Sequence, residues 1–190
     1  MSEGGFHVHG PHDHAVEHAT THGDSFSGRI AVMTAIFATI GALFGYMGGA
    51  TQNDALLYKN DATIKKTEAS DQWNFYQAKS SKQNLAELGA TLATGEFVEK
   101  YQKEVERYKK EKEEIKVQAE KFEAASKVAE AKSEASMHVH HRWAQATTLI
   151  QIAIALAAIT ILTRNKGLMY AAYGAAGGAL ILGALAGMHI

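Results

Sequence analysis

Three stretches of this chain carry no charged side chain over a length that matches a lipid bilayer. Residues 30–50, IAVMTAIFATIGALFGYMGGA, run uncharged behind Arg29, and residues 143–163, WAQATTLIQIAIALAAITILT, do the same between Arg142 and Arg164. A third run, 167–188, follows after only Arg164, Asn165 and Lys166. A helix rises about 1.5 Å per residue, so roughly 20 apolar residues cross a hydrocarbon layer of about 30 Å. Basic residues at the ends of such runs are the expected flanks of a span.

The charge distribution points the same way. Residues 51–142 hold 16 of the 19 Lys and Arg and 16 of the 20 Asp and Glu, so this block is charge-dense yet neutral. Whole-chain averages therefore hide a segregation of the kind a bilayer imposes, because a charge at its centre costs several kcal/mol. The only proline is Pro11, so nothing after the first dozen residues is forced out of helix. The chain has no cysteine, which removes disulfides, thiolate metal sites and cysteine nucleophiles together.

The resulting expectation is an all-α membrane protein. It has a His-rich, irregular tail (1–28) and transmembrane helices at 29–50, 143–163 and 167–188. A long antiparallel coiled-coil hairpin fills 51–142, between the first and second spans. The second half of that block is the most periodic part of the chain. Tyr101, Val105, Tyr108, Lys112, Ile115, Ala119, Phe122, Ser126, Ala129, Ser133, Ser136 and His140 alternate by fours and threes, with Lys112 and the serines as polar interruptions. In the first half, Ala55, Ala62 and Ala69 form one stripe, while Leu57, Ile64, Ala78, Leu85 and Leu92 form another. A helix with two apolar faces touches two neighbours. The turn is expected at Thr94-Gly95.

One string is distinctive. Asn60-Asp61-Ala62 followed by Ala69-Ser70-Asp71-Gln72-Trp73-Asn74-Phe75-Tyr76-Gln77-Ala78-Lys79-Ser80 resembles an uncharacterised bacterial membrane-protein family known as domain of unknown function 4337. His140-His141-Arg142-Trp143 and Thr163-Arg164-Asn165-Lys166 fit the same pattern. The resemblance covers residues 29–188 and implies the three-span layout, with no activity attached.

Four constellations are candidates for function. The first is the tail, where His7, His9, His12 and His14 are spaced so that flexible backbone can bring imidazoles onto one Zn, Ni or Cu ion; the plainer reading is a polar extension without fixed geometry. The second is His138, His140 and His141 at the mouth of the second span, either a collar of metal ligands in an oligomer or simple interface anchoring with Arg142 and Trp143. The third is small residues at GxxxG spacing: Gly41, Gly45 and Gly49 in the first span, Gly174 with Gly178 and Gly183 with Gly187 in the third. Such faces let helix backbones approach in lipid, and together with Ala55, Ala62 and Ala69 they are assigned to oligomer packing. The fourth is Asp71, Asn74 and Gln77 with Trp73 and Tyr76 adjacent, either a site for a small polar ligand or a partner or, the plainer reading, a polar layer that fixes register in a bundle.

Catalysis is not expected. There is no phosphate loop, nucleophile elbow, HExxH or paired-carboxylate motif, and the spans contain no ionisable acid or base of the kind a proton-coupled transporter uses. A neutral Lys/Glu-rich coil does not suggest nucleic acid. The partners expected are membrane lipid and other copies of the chain, or the other subunits of a larger membrane complex. The short Arg164–Lys166 turn places the N-terminus in the cytoplasm and the hairpin in the periplasm of a bacterial inner membrane. Lys59, Lys65, Lys66 and Arg142 argue for the reverse.

Overall fold

The computed structural model describes residues 25–188, and all secondary structure among them is helical. Helix α1 spans Ser25–Leu92, α2 spans Glu96–Thr163 and α3 spans Lys166–Gly187. Each contains a window long and apolar enough to cross a membrane. Helix is already present at Ser25, inside the segment expected to be irregular, because Phe26 packs on the apolar core four residues ahead of the uncharged run.

The two turns stop the helices by the same backbone device. After α1, the amide of Ala93 donates to Gly89 O at 2.9 Å and Gly95 takes φ 65, a left-handed conformation that glycine adopts without a Cβ clash. Glu96 and Glu99 then place negative charge in the first turn of α2, where the exposed amides favour it. After α2, Arg164 takes the left-handed position at φ 54, with its amide on Thr160 O at 2.8 Å. A non-glycine residue there costs about 1 kcal/mol. Asn165 caps α3, accepting from the Gly167 amide at 2.8 Å.

The described residues form two compact units, one made of residues 54–135 and the other of residues 25–53 together with 136–188. In the first, α1 and α2 run antiparallel. Their seam is narrow: Ala55, Ala62, Ala69 and Ala86 of α1 are buried, as are Val105, Ala119, Ser126, Ala129 and Ser133 of α2. Every residue of the expected α2 periodicity within this unit is buried or half-buried except Tyr101, whose ring lies across Gly89, where a Cβ would stand 2.8 Å from Cε1. Lys112, the charged member of the seam, is accommodated by Gln83 Oε1 at 3.1 Å and by the Tyr76 ring, 4.9 Å from its Nζ.

In the second unit, parts of all three helices surround a core of Ile30, Met33, Phe37, Ile150, Ala153, Ala157, Ala172, Ala176 and Ala179. A smaller cluster joins Val139, Trp143 and Ala186, with Phe44 against it. Alanines on α2 and α3 let large side chains from α1 fill the space between backbones, the arrangement that close packing needs when apolar surroundings supply no hydrophobic drive.

Candidate functional site

The hairpin seam holds a repeated polar contact. Ser126 Oγ donates to Ala62 O at 2.8 Å, and Ser133 Oγ donates to Ala55 O at 2.8 Å. Both pairs step by seven on each helix, so the serines read as interruptions in the sequence are donors aimed at the facing backbone. A hydroxyl reaches a carbonyl already engaged in its own helix only if the two backbones lie close, and alanine at 55, 62 and 69 permits that approach. Ala55, Ala62 and Ala69 are therefore spent inside one chain rather than on contacts between chains. At 1%, 5% and 3% exposure they have no surface left to offer a second copy.

The same seven-residue step recurs in the other unit, where His140 Nδ1 lies 2.8 Å from Gly48 O. A carbonyl only accepts, so the proton of this contact sits on Nδ1. A Cβ on Gly48 would approach Trp143 Cβ to 3.4 Å, so this glycine is the close-approach residue of the first span at that level. Trp143 is 7% exposed, with Phe44 at 5.4 Å between ring centroids. It is a core residue, not an interface anchor. His138 and His141 are exposed, and the His141 ring centroid stands 5.7 Å from that of His140. Among the described residues no group of three or more His, Cys, Asp or Glu could hold a metal ion. His7, His9, His12 and His14 lie outside the described residues.

The glycines divide into two populations that spacing alone does not separate. Gly41 faces Ile150 Cγ2 at 3.1 Å from a notional Cβ, Gly178 faces Leu149 at 3.6 Å, and Gly183 would collide with the Phe44 ring at 2.6 Å. Gly45, Gly49, Gly174 and Gly187 have nothing within 4 Å. In the first span the interior pair is thus Gly41 and Gly48, a heptad apart, rather than the GxxxG triplet. The signal was present as the seven-residue continuation of Ala62 and Ala55, but it is weaker to the eye than GxxxG.

Asp71, Asn74 and Gln77 are all exposed. Asn74 and Gln77 border a groove of about 570 Å³ in the hairpin unit, with Lys66, Trp73, Glu123 and Lys127 on its walls. Trp73 Nε1 donates to Glu123 Oε1 at 2.8 Å, and the Trp73 and Tyr76 rings meet edge-on at 5.6 Å. None of the three polar residues is buried in the α1–α2 seam: Asn74 and Gln77 edge the groove beside it, and Asp71 is exposed.

Cross-helix ion pairs edge the seam. Lys59 Nζ meets Glu130 Oε1 at 2.6 Å, and Lys79 Nζ meets Glu111 Oε2 at 2.5 Å. The hydrogen bond from Lys59 lowers the Glu130 pKa and raises that of Lys59, and the hydrogen bond from Lys79 lowers that of Glu111. All of these groups are solvated enough for screening to keep the pairs weak.

The profile of a family described as a domain of unknown function (DUF4337) matches residues 26–189. The chain belongs to that family. The match runs across the described parts of all three helices, while the tail histidines lie before it. No curated protein and no solved structure matches this DUF4337 chain.

Proposed function

We propose that this DUF4337 protein is a non-enzymatic integral membrane scaffold or accessory subunit that works as a homo-oligomer. Its three apolar helices span a bacterial inner membrane, with the N-terminus in the cytoplasm and the charged hairpin in the periplasm. The observation that carries the reading is the second population of glycines. Gly45, Gly49, Gly174 and Gly187 are open, whereas the glycines that pack within the chain are different ones. Open small residues on spanning helices are surfaces on which another helix seats closely in lipid. Identical chains share a bilayer with parallel axes, so closed symmetric assemblies satisfy such surfaces.

Extraction of the full chain into native lipid particles, followed by mass measurement, should give a multiple of the chain mass; a strictly monomeric mass rejects the oligomer. Alkaline phosphatase fused after Ala93 should be active and fused at Asn165 inactive, and the reverse pattern inverts the orientation.

The alternative is a membrane protein that handles a metal or a small ligand through the His138–His141 collar or through the N-terminal histidines, where it rests on the spacing of His7, His9, His12 and His14. The expected signature of the N-terminal histidines is bound metal that disappears on deletion of residues 1–24.

A further inference from the structure

The face of α1 that points away from the hairpin seam is almost free of charge. Residues 54–92 contain ten charged side chains, and nine of them lie on the seam side or its flanks. On the opposite arc, Leu57, Ile64, Ala78, Leu85 and Leu92 recur in heptad phase, with Asn60, Thr67, Asn74, Ser81 and Leu88 between them, and Asp71 is the single charge. The apolar members stand open: Leu57 is 58%, Ile64 55%, Leu85 68% and Leu92 76% exposed. Outside a membrane, large apolar side chains left open at both ends of one uncharged arc, Leu57 with Ile64 and Leu85 with Leu88 and Leu92, make a surface that something covers.

We propose that this arc is the contact between two copies of the chain, packed parallel about a two-fold axis, with Leu57, Ile64, Leu85 and Leu92 at its centre. The proposal rests on the homo-oligomer reading and names the surface that makes it. Three features select a second copy as the occupant. Chains anchored in one membrane enter their hairpins through α1 from the same side, so each residue of the arc can meet itself, and apolar residues at seven-residue spacing, here interrupted at Asp71, are the pattern of parallel self-packing. An uncharged face is complementary to an uncharged face, and α1 supplies one. The outside of α2, by contrast, carries Glu106, Lys110, Glu113 and Glu120. Size is the third. The arc from Leu57 to Leu92 is about 50 Å long and about 10 Å wide, roughly 1,000 Å² when both copies are counted, about the least that a specific interface buries.

The arc also accounts for the outward-pointing polar residues. Asn60 and Asn74 sit at the alternate seam position, where a buried amide pairs with its own copy and fixes register. Asp71 is the informative exception. In a parallel two-fold pair it faces its own copy, so the carboxylate weakens the contact. A different, cationic partner would instead use Asp71 as an attractive group.

The chain has no cysteine, so single cysteines introduced into the full-length protein in nanodiscs report contacts directly. On mild oxidation Leu85→Cys, Leu88→Cys and Leu92→Cys should form covalent dimers, and the exposed Glu87→Cys and Glu113→Cys should not. Asp71→Asn should shift the monomer–dimer equilibrium several-fold toward dimer. Leu85→Glu should shift it toward monomer with helicity unchanged. A stable oligomer whose arc and control cysteines cross-link alike overturns this contact and leaves the homo-oligomer standing. An Asp71→Asn shift toward monomer also overturns it, in favour of a cationic partner. A protein that stays monomeric in nanodiscs removes the contact and the oligomer together.

Discussion

The two units solve the problem of bringing α-helices close together with different residues on one heptad step. In residues 54–135 the facing positions are alanine and serine, and the serine hydroxyl reaches across to a backbone carbonyl. In the other unit the facing positions are Gly48 and His140; Gly183 admits the Phe44 ring where a Cβ would collide, and Gly41 admits Ile150 where a Cβ would be tight. The hairpin holds its helices with hydroxyl-to-carbonyl bonds edged by ion pairs, a solution that works where water screens charge. The other unit uses backbone contact and large apolar side chains in glycine and alanine notches, a solution that works where lipid gives no hydrophobic drive. The same seven-residue step thus serves both units, with only the residue type at the contact changed.

The comparison is broken most severely at Ala62. Ala62→Glu puts a carboxylate at a 5% exposed position facing Ser126, so the hairpin should lose several kcal/mol. Thermal melts of the full chain should show an early loss of helical signal, and a melt superimposable on the parent would mean the seam is not tight. An equivalent notch in the other unit is Gly183. Gly183→Val forces the Phe44 ring to move and should cost about 1–3 kcal/mol, with Phe44→Ala relieving most of the added strain in a double-mutant cycle. Additive effects of the two changes would show that the ring and the glycine do not share one site.

Smaller again is the loss of one hydroxyl. Ser126→Ala should destabilise the hairpin by about 1 kcal/mol, since the Ala62 carbonyl keeps its own helical donor and loses only the second bond. Ser133→Ala should match it, and a difference beyond about 1 kcal/mol between them would argue against a uniform ladder.

The smallest effect is electrostatic. The Glu130 pKa is lowered by the hydrogen bond from Lys59, so its contribution is present above the ordinary carboxylate pKa of about 4.3 and fades as pH falls through the lowered value. The Lys59 pKa is raised, so its contribution is present below about 10.4 and fades only as pH rises through the raised value. Melting temperature measured from pH 2.5 to 6 should fall slightly less steeply in Lys59→Met than in the parent, and equal slopes would show the pair is fully screened.

Much of this was legible in the residues alone. Uncharged runs of bilayer length give the three apolar helices directly, because charge exclusion is a property of composition and needs no partner. The four-three alternation from Val105 to Ser136 gives the inner face of α2 for the same reason, since helical periodicity is local. The turn could be placed because Gly95 supplies a positive φ that other residues adopt only at a cost. What the sequence left open is which of two similar stripes a helix turns inward. Ala55, Ala62 and Ala69 and the Leu57–Leu92 stripe are both heptads on α1, and only the pairing with α2 buries the alanines and leaves the leucines exposed. The same holds for the glycines, where Gly41 packs and Gly45 does not, and for Ser126, whose role as a donor appears only when the Ala62 carbonyl stands opposite. Composition and period decide what a segment can become by itself. Which side faces in, and which small residue carries the contact, depends on distances between segments far apart in the chain, and only the packed tertiary structure sets those.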